Sequence, residues 1–253
     1  MNTRTPLIAS ALLAASLVSG AAHATLLARD LDGNTVTAEA YYDTVLNITW
    51  LKDADYALTS GHNANDGRLA WSTANNWAAN LSFTDGINVY NNWRLPTLRP
   101  INGIAFNYTV SFDGSTDGGY NITSPNSELS YMFHVNLGNF GSRTSTNTPS
   151  GCNVTGIDDT CLAHVGPFSN LQSQSYWFDT RYAPDSRYSS WNFAMHDGSQ
   201  GGGYSTGAGA GFYAWAVSDG DVGIASIPEP ETYAMMLAGL GLVGYSNSRY
   251  KRQ

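Results

Sequence analysis

The string Asn92-Trp93-Arg94-Leu95-Pro96-Thr97 lies in the middle part of the 253-residue chain and constrains the fold around it. Side chains alternate between the two faces of a strand, so Trp93 and Leu95 are predicted to share the buried face while Arg94 points the other way. Because proline donates no backbone hydrogen bond, the strand is predicted to end at Pro96. We therefore interpret the string as a structural part of the core and not as a binding site.

Two stretches on either side of this string have the apolar spacing of helices. In residues 66–81, tryptophans, leucines and alanines recur at three- and four-residue steps, which gives a helix one apolar face. A second helix is predicted over residues 125–137, with Ser124 as its N-cap, Pro125 at its first position and Gly138 at its end. Both helices are expected to pack against strands.

Shorter apolar runs predict the strands. They cover residues 45–51, 176–178, 190–195, 212–218 and 221–224. The dipeptide Asp219-Gly220 is interpreted as a hairpin turn between the last two runs. Together, these elements indicate an α+β domain in which antiparallel strands dominate.

Several of these segments also resemble the motifs of a known family. The matching motifs are Asp43 to Leu51 with Asp53-Ala54-Asp55-Tyr56, the helix from Trp71 to Leu81, the string at residues 92–97, Ser127-Glu128-Leu129 with Leu137-Gly138-Asn139, Tyr176-Trp177, Trp191-Asn192-Phe193, Ala214 to Val217 and Gly220-Asp221-Val222. They resemble the Lcl C-terminal domain, also called domain of unknown function 1566. The resemblance spans residues 30–224. It implies a C-type-lectin-like α+β fold, with two helices, antiparallel strands and long loops. It also implies an exported or surface protein, because the founding member is an adhesin for sulfated glycans.

The first 24 residues have the pattern of a secretory signal peptide. Arg4 precedes an apolar run over residues 7–18, and Ala22-His23-Ala24 places small residues where a signal peptidase cleaves. The chain is therefore expected to be exported, and its folded domain is predicted to cover residues 25–226.

Residues 227–253 have the pattern of a sorting and anchor segment. The pattern consists of Pro228, Glu229 and Pro230, an apolar run over residues 233–245, and the positive charges Arg249, Lys251 and Arg252. It resembles the PEP-CTERM sorting signal of Gram-negative bacteria. The resemblance implies recognition by an exosortase, transient insertion of a C-terminal helix into the inner membrane, and an association with extracellular polysaccharide. The final location would be the cell surface or the extracellular space.

The charge of the exported body differs from that of the whole chain. The chain has 12 basic and 20 acidic side chains; one basic residue lies in the signal peptide, and three basic and two acidic residues lie in the tail, which leaves about −10 on the body. Nucleic-acid binding needs a basic face that displaces counterions, so this class is excluded. Binding to anionic polymers is also discouraged unless a cation intervenes.

The two cysteines, Cys152 and Cys161, are predicted to form a disulfide bond. Exported proteins meet an oxidising compartment, and the pair lacks the CxxC spacing of metal and redox sites.

Aromatic side chains crowd the last third of the body and suggest a ligand-binding surface. The resemblance to lectin-like folds places ligands at the long-loop region, here residues 181–211. Loop tyrosines could stack on sugar rings, and neighbouring polar side chains could supply hydrogen bonds. The candidate ligand-binding residues are Tyr182, Asp185, Arg187, Tyr188, Asn192 and Tyr204.

Residues 30–34, Asp-Leu-Asp-Gly-Asn, begin like a calcium-binding loop. An EF-hand needs Gly at its sixth position and Glu at its twelfth, whereas Gly is fourth here and Tyr41 is twelfth. A tight Asp-Gly turn is therefore the preferred interpretation, and no cofactor is expected. Calcium could still bind among other loop carboxylates, such as Asp158, Asp159, Asp185 and Asp197.

No catalytic residue and no metal ligand are expected. Residues 203–207 match the G-x-S-x-G nucleophile elbow, but the surrounding glycines would not form the helix that this motif requires. The body histidines lack partners at helical spacing, which disfavours a zinc site. The sequence thus indicates a non-enzymatic exported protein that is adhesive or associated with polysaccharide. A matrix-acting hydrolase with a carboxylate site is the alternative.

Overall fold

Strands dominate the architecture, as the short apolar runs predict. A computed structural model describes residues 25–63, 65–152, 160–204 and 211–225, so the predicted signal peptide and sorting segment lie outside the described residues. The strands are β1 (Leu26–Asp30), β2 (Ala40–Asp43), β3 (Ile48–Leu51), β4 (Phe83–Thr84), β5 (Val89–Tyr90), β6 (Trp93–Arg94), β7 (Val110–Ser111), β8 (Gly118–Tyr120), β9 (Ser175–Arg181), β10 (Ser189–Ala194), β11 (Ser199–Tyr204), β12 (Val217–Asp219) and β13 (Ile224–Ala225).

Few helices accompany these strands. They are α1 (Tyr56–Thr59), α2 (Trp71–Ala79) and α3 (Glu128–Tyr131), together with a π-helical turn (Met132–Asn136) that continues α3 and a 3-10 turn (Ala183–Asp185). The fold is thus mixed α+β, as predicted. Within the described residues, no helix has the length and apolar character needed to cross a membrane.

Six strands form an antiparallel sheet in the order β13-β1-β2-β3-β12-β6. Arg29 of β1 lies opposite Ala225 of β13, so the beginning and the end of the described body meet in neighbouring strands. A turn joins β2 to β3, with Asn47 at a φ of 54°. Asparagine tolerates this left-handed conformation, and the strand predicted over residues 45–51 therefore begins only at Ile48.

A second sheet has the order β7-β8-β11-β10-β9, and β4 pairs with β5 in a small separate hairpin. The strands predicted at residues 176–178 and 190–195 are confirmed as parts of β9 and β10. The long-loop region predicted over residues 181–211 is wrong for β11, which pairs with β10 over Ser199–Tyr204. The ring of Tyr182 occupies the space above Gly202, and the side chains of Asn192 and Phe212 occupy the space above Gly203.

The hairpin predicted at Asp219-Gly220 is wrong, although the turn itself exists. Gly220 has a φ of 74°, but the strands on its two sides do not pair with each other. β12 lies between β3 and β6, whereas β13 pairs with β1. Of the strand predicted over residues 212–218, only the end is a strand, because Phe212 and Tyr213 form isolated bridges to Leu69 and Tyr176.

Helix α2 confirms the first predicted helix but begins later than residue 66. Gly67 has a φ of 71°, and the backbone of Leu69 exchanges hydrogen bonds of 2.9 and 3.2 Å with Phe212. These contacts hold the segment before Trp71 in an extended conformation. The buried face of the helix consists of Ala74, Trp77 and Ala78, as its periodicity predicts.

The second predicted helix also begins later than expected, at Glu128. The backbone N–H of Arg99 donates to the carbonyl of Asn126 at 2.8 Å, and Ser127 forms a bridge with Leu98. Residues 124–127 are therefore a turn, and Ser124 does not cap the helix. The predicted end is confirmed, since Gly138 follows with a φ of 68°.

Four tryptophans without solvent exposure fill the core: Trp50, Trp177, Trp191 and Trp215. The rings of Trp50 and Trp215 have centroids 4.6 Å apart. The indole N–H groups of Trp177 and Trp215 donate at 2.8 Å to the carbonyls of Leu69 and Leu51. The aromatic side chains that are abundant in the sequence are therefore largely structural.

The string at residues 92–97 has the structural role that the alternation predicts. Trp93 and Leu95 are buried, and Arg94 points to the opposite side of the strand. There the Arg94 guanidinium donates two hydrogen bonds to Glu128, at 2.8 and 2.9 Å, and a third to Asp219 at 2.6 Å. One arginine thus connects β6, α3 and β12.

The predicted disulfide bond between Cys152 and Cys161 is confirmed, with the two Cα atoms 5.1 Å apart. Cys161 is buried, and its backbone N–H donates to the carbonyl of His196 at 2.8 Å. The bond therefore connects the segment around residue 150 to the core.

Candidate functional site

Three of the six candidate ligand-binding residues meet at the tip of the β9–β10 hairpin. Asp185 closes the 3-10 turn, and its carboxylate accepts a hydrogen bond of 3.1 Å from the Ser189 hydroxyl. The Arg187 guanidinium lies 5.3 Å from the centre of the Tyr188 ring, and Tyr188 is 47% exposed. This tip is a small surface with one accessible ring.

Tyr182 and Asn192 do not join that surface. The ring of Tyr182 packs against Tyr108 and Trp191, with centroids 5.3 and 4.8 Å apart, and lies over Gly202. Asn192 follows Trp191 in β10 and so faces the opposite side of the sheet, where its amide donates to the carbonyl of Gly201 at 3.0 Å. The side chain of Tyr204 lies outside the described residues. The structure thus does not gather the six predicted residues at one place.

A groove beside the disulfide bond is a stronger candidate, and the sequence reasoning missed it. Its volume is about 810 Å³, within the range of ligand pockets. The ring of Phe140 is 77% exposed at its rim. The polar side chains that line it include Asn121, Arg143, Thr144, Ser150 and His164.

Asn139 fixes the wall of this groove. It is only 2% exposed, and its Oδ1 accepts hydrogen bonds from the backbone N–H groups of Ala163 and His164, at 3.0 and 2.8 Å. Its Nδ2 donates to the carbonyl of His164 at 2.8 Å. The buried amide therefore holds His164 next to the exposed Phe140. In the sequence, the motif Leu137-Gly138-Asn139 marks this segment. The exposed ring belongs to the next residue, Phe140.

The described lining of the groove offers contacts for ligand binding. None of the described residues that line it carries a carboxylate, whereas a pair of carboxylates is what glycoside hydrolysis requires. An exposed aromatic ring next to amide, hydroxyl and guanidinium groups offers stacking together with hydrogen-bond donors.

Carboxylates do meet at a second cavity, of about 420 Å³. It is lined by Asp32, Glu39, Lys52, Asp53 and Tyr56, among others. The neighbouring Asp55 is 2% exposed, and its pKa is raised to about 6 by burial and, to a lesser degree, by the negative charge of Asp53. Such a pKa suits a general acid, but Asp55 is not part of the cavity lining. Its carboxyl group is covered by Gly67, where an added Cβ would lie 2.1 Å from Oδ1.

The raised pKa of Asp55 predicts a pH-dependent gain of stability in Asp55→Asn. In the folded protein the pKa of Asp55 is about 6, above the ordinary value near 3.8. Its favourable contribution to the free energy of unfolding is therefore complete below pH 3.8 and is lost as the pH rises through 6. At pH 8 the variant should therefore be more stable by about 1–2 kcal/mol, after allowance for solvent screening of Asp53. Urea unfolding between pH 4 and 8 measures this difference. A difference that stays the same at every pH would contradict the raised pKa.

Three carboxylates lie close enough to one another to hold a metal ion. Asp30, Asp32 and Glu39 each offer a carboxylate oxygen, and these atoms all lie within 4.8 Å of one another. The tight turn predicted at Asp32-Gly33 is confirmed, with Gly33 at a φ of 88°. Among the loop carboxylates expected to be alternatives, Asp158 and Asp159 lie outside the described residues, and Asp185 and Asp197 belong to no such group in the described part of the chain.

Comparison with known proteins identifies the C-terminal segment. The family model of the PEP-CTERM protein-sorting motif matches residues 226–252. No curated protein and no solved structure matches the chain. The chain therefore carries a PEP-CTERM sorting motif, as predicted from Pro228 to Arg252. It is an exported protein of the cell envelope that is processed through this signal by an exosortase.

Proposed function

We propose that the exported body is a non-enzymatic, lectin-like domain that associates with extracellular polysaccharide. The observation that carries this proposal is the open groove beside the disulfide bond, with the exposed ring of Phe140 between polar side chains. Pyranose rings have apolar faces and hydroxyl edges, so such a surface matches both parts of a sugar. The sorting signal would deliver this groove to the cell surface or, after release, to the matrix.

The resemblance to the Lcl C-terminal domain supports the lectin-like part of the proposal. Its motifs fall on residues that have structural roles in this chain, including Trp93, Glu128 and the fully buried Trp177 and Trp215. The net charge of the body further restricts the class of polysaccharide that it can bind. A body that carries about −10 favours a neutral polysaccharide, or an anionic one reached through a cation.

We expect Phe140→Ala to weaken binding to polysaccharide roughly 3- to 10-fold, the range expected for the loss of one stacked ring. Affinity electrophoresis in gels that contain neutral dextran, anionic alginate or the producing cell's own polysaccharide measures the effect. Ile87→Ala is the matched control, since Ile87 is 90% exposed and lies far along the chain from the groove. Tyr188→Ala tests the hairpin tip in the same way.

Each outcome bears on the proposal. If Phe140→Ala reduces the retardation of the protein in the gel and Ile87→Ala leaves it unchanged, the groove is supported as the binding site. If only Tyr188→Ala reduces the retardation, the binding site lies at the tip of the β9–β10 hairpin and not in the groove. If none of the polysaccharides retards the protein, the adhesive function is wrong.

A matrix-acting hydrolase is the second candidate, because carboxylates line the cavity that contains Asp53. The same polysaccharides, incubated with the protein, should release no new reducing ends. Release that disappears in Asp53→Asn would establish this alternative and contradict the non-enzymatic function.

A further inference from the structure

We propose that Asp30, Asp32 and Glu39 bind one calcium ion at the loop end of the β1–β2 hairpin. The register of the two strands brings these residues together. Arg29 lies opposite Ala40, so Asp30 and Glu39 are the next pair beyond the last residues in register. The turn at Gly33 then returns Asp32 toward both of them.

The separation of the three carboxylates suits a calcium ion. Calcium–oxygen bonds are 2.3–2.6 Å long, so two ligands of one ion lie at most about 5 Å apart. The ligand atoms of the three side chains lie within 4.8 Å of one another. One ion could therefore contact all three without a rearrangement of the backbone.

The buried side chain of Asp30 independently points to a cation at this place. Asp30 has no solvent exposure, and its Oδ1 accepts hydrogen bonds of 2.8 Å from the backbone N–H groups of Asp32 and Gly33. Its Oδ2 is buried and accepts no hydrogen bond. A buried carboxylate oxygen without a donor or a cation is strongly unfavourable, and a bound ion would compensate it.

In the described part of the chain, no basic side chain forms an ion pair with Asp30, Asp32 or Glu39. Lys52 lines the cavity next to Asp32 and Glu39 but forms no ion pair with them there. Three converging carboxylates would repel one another unless a cation lies between them.

Hydrogen bonds orient the other two carboxylates in advance. The oxygens of Glu39 accept from the backbone N–H of Leu31 at 3.1 Å and from the Thr37 hydroxyl at 2.7 Å. Oδ1 of Asp32 accepts from the backbone N–H of Asn34 at 2.9 Å. Each carboxylate oxygen has a second lone pair, so these bonds leave room for an ion.

The donor set selects the type of ion. Three carboxylates without histidine or cysteine are hard oxygen ligands, which favours calcium over zinc. Magnesium demands near-ideal octahedral geometry with shorter bonds, whereas calcium accepts irregular sites that backbone carbonyls and water complete. With only three carboxylates, the affinity should resemble that of extracellular calcium modules, roughly 10⁻⁴ M.

Calorimetric titration of the purified protein with CaCl2 tests the site, together with thermal unfolding in calcium, magnesium or EDTA. We expect one bound ion per chain and a Tm about 5 °C higher in roughly 10 mM calcium than in EDTA. Asp32→Asn and Glu39→Gln should each weaken binding at least tenfold. Asp66→Asn is the control, because Asp66 lies on the surface and pairs with Arg68.

Asp30→Asn separates loss of the ion from simple damage to the fold. In EDTA this variant should be at least as stable as the native protein, since it removes an unpaired buried charge. In calcium it should be the less stable of the two. The proposal is overturned if calcium produces no heat of binding and no change in Tm, or if Asp32→Asn and Glu39→Gln both bind calcium as the native protein does.

Discussion

Replacing Arg94 by alanine is expected to destabilise the body by about 3–4 kcal/mol, the lower part of the range for removal of one partner from a buried ion pair. The side chains of Arg94 and Glu128 are 23% and 11% exposed, and two parallel hydrogen bonds join them. Without the guanidinium, the Glu128 carboxylate keeps only the backbone N–H of Thr97, at 2.6 Å, as a donor.

The protonation of Arg94 shows how strongly its partners hold it. Burial alone would lower the pKa of the guanidinium, but the hydrogen bonds and negative charges of Glu128 and Asp219 outweigh burial and raise it. Arg94 therefore stays charged at every accessible pH. The loss in Arg94→Ala should accordingly be constant from neutral to alkaline pH.

Urea unfolding, followed by tryptophan fluorescence, measures this effect. Arg68→Ala is the matched control, because it removes an arginine–aspartate pair whose side chains are 48% and 46% exposed. Exposed pairs contribute about 0–1 kcal/mol, so the control should unfold almost like the native protein. Equal effects of the two substitutions would show that the Arg94 network has no special structural role.

Two adjacent glycines in β11 are expected to respond to alanine with opposite signs. A Cβ on Gly202 would lie 2.7 Å from the ring of Tyr182, which Tyr108 and Trp191 hold in place. Displacement of that ring should cost about 1–3 kcal/mol, as other overpacked cores do. A Cβ on Gly201 would meet nothing within 4 Å. Gly201→Ala should therefore stabilise the strand by about 0.5 kcal/mol, since glycine is entropically unfavourable there.

Thermal unfolding of the two variants in parallel checks the prediction, and each serves as the control of the other. A destabilisation of the same size in both would mean that the strand needs flexibility at each glycine. A loss in Gly202→Ala alone would confirm that the glycine provides space for Tyr182.

The sequence predicts the fold best where a local signal and the packing agree. Helix α2 has a periodic apolar face, and its buried residues are the ones that this periodicity indicates. Which strands pair with each other is harder to predict from local patterns. Asp219-Gly220 has the composition of a hairpin turn, yet the following strand pairs with β1, nearly 200 residues earlier. Contacts this distant in sequence leave no trace in a local pattern.

The candidate sites were harder to predict for a related reason. Phe140 has no periodic neighbours, and it follows the buried Asn139, whose amide bonds to a segment some 25 residues away. Tyr41 occupies the position at which an EF-hand needs a glutamate. The antiparallel register of β1 and β2 instead brings Glu39 next to Asp30. The long-loop region predicted over residues 181–211 included β11, because the sequence does not reveal that Tyr182, Asn192 and Phe212 occupy the space over Gly202 and Gly203.

The pairing of β1 with β13 also determines how the body would bear a mechanical load. The sorting motif begins directly after β13, so tension applied through that motif enters the fold at a two-residue edge strand. The two ends of the body lie side by side, and a pull on one end would peel β13 away from β1 before it reached the tryptophan core. The ion pair between Arg29 and Asp221, at 2.6 Å, lies next to this edge strand and would be the first ion pair to resist the pull. Tension applied through the motif would therefore load the edge of this sheet first and the tryptophan core last.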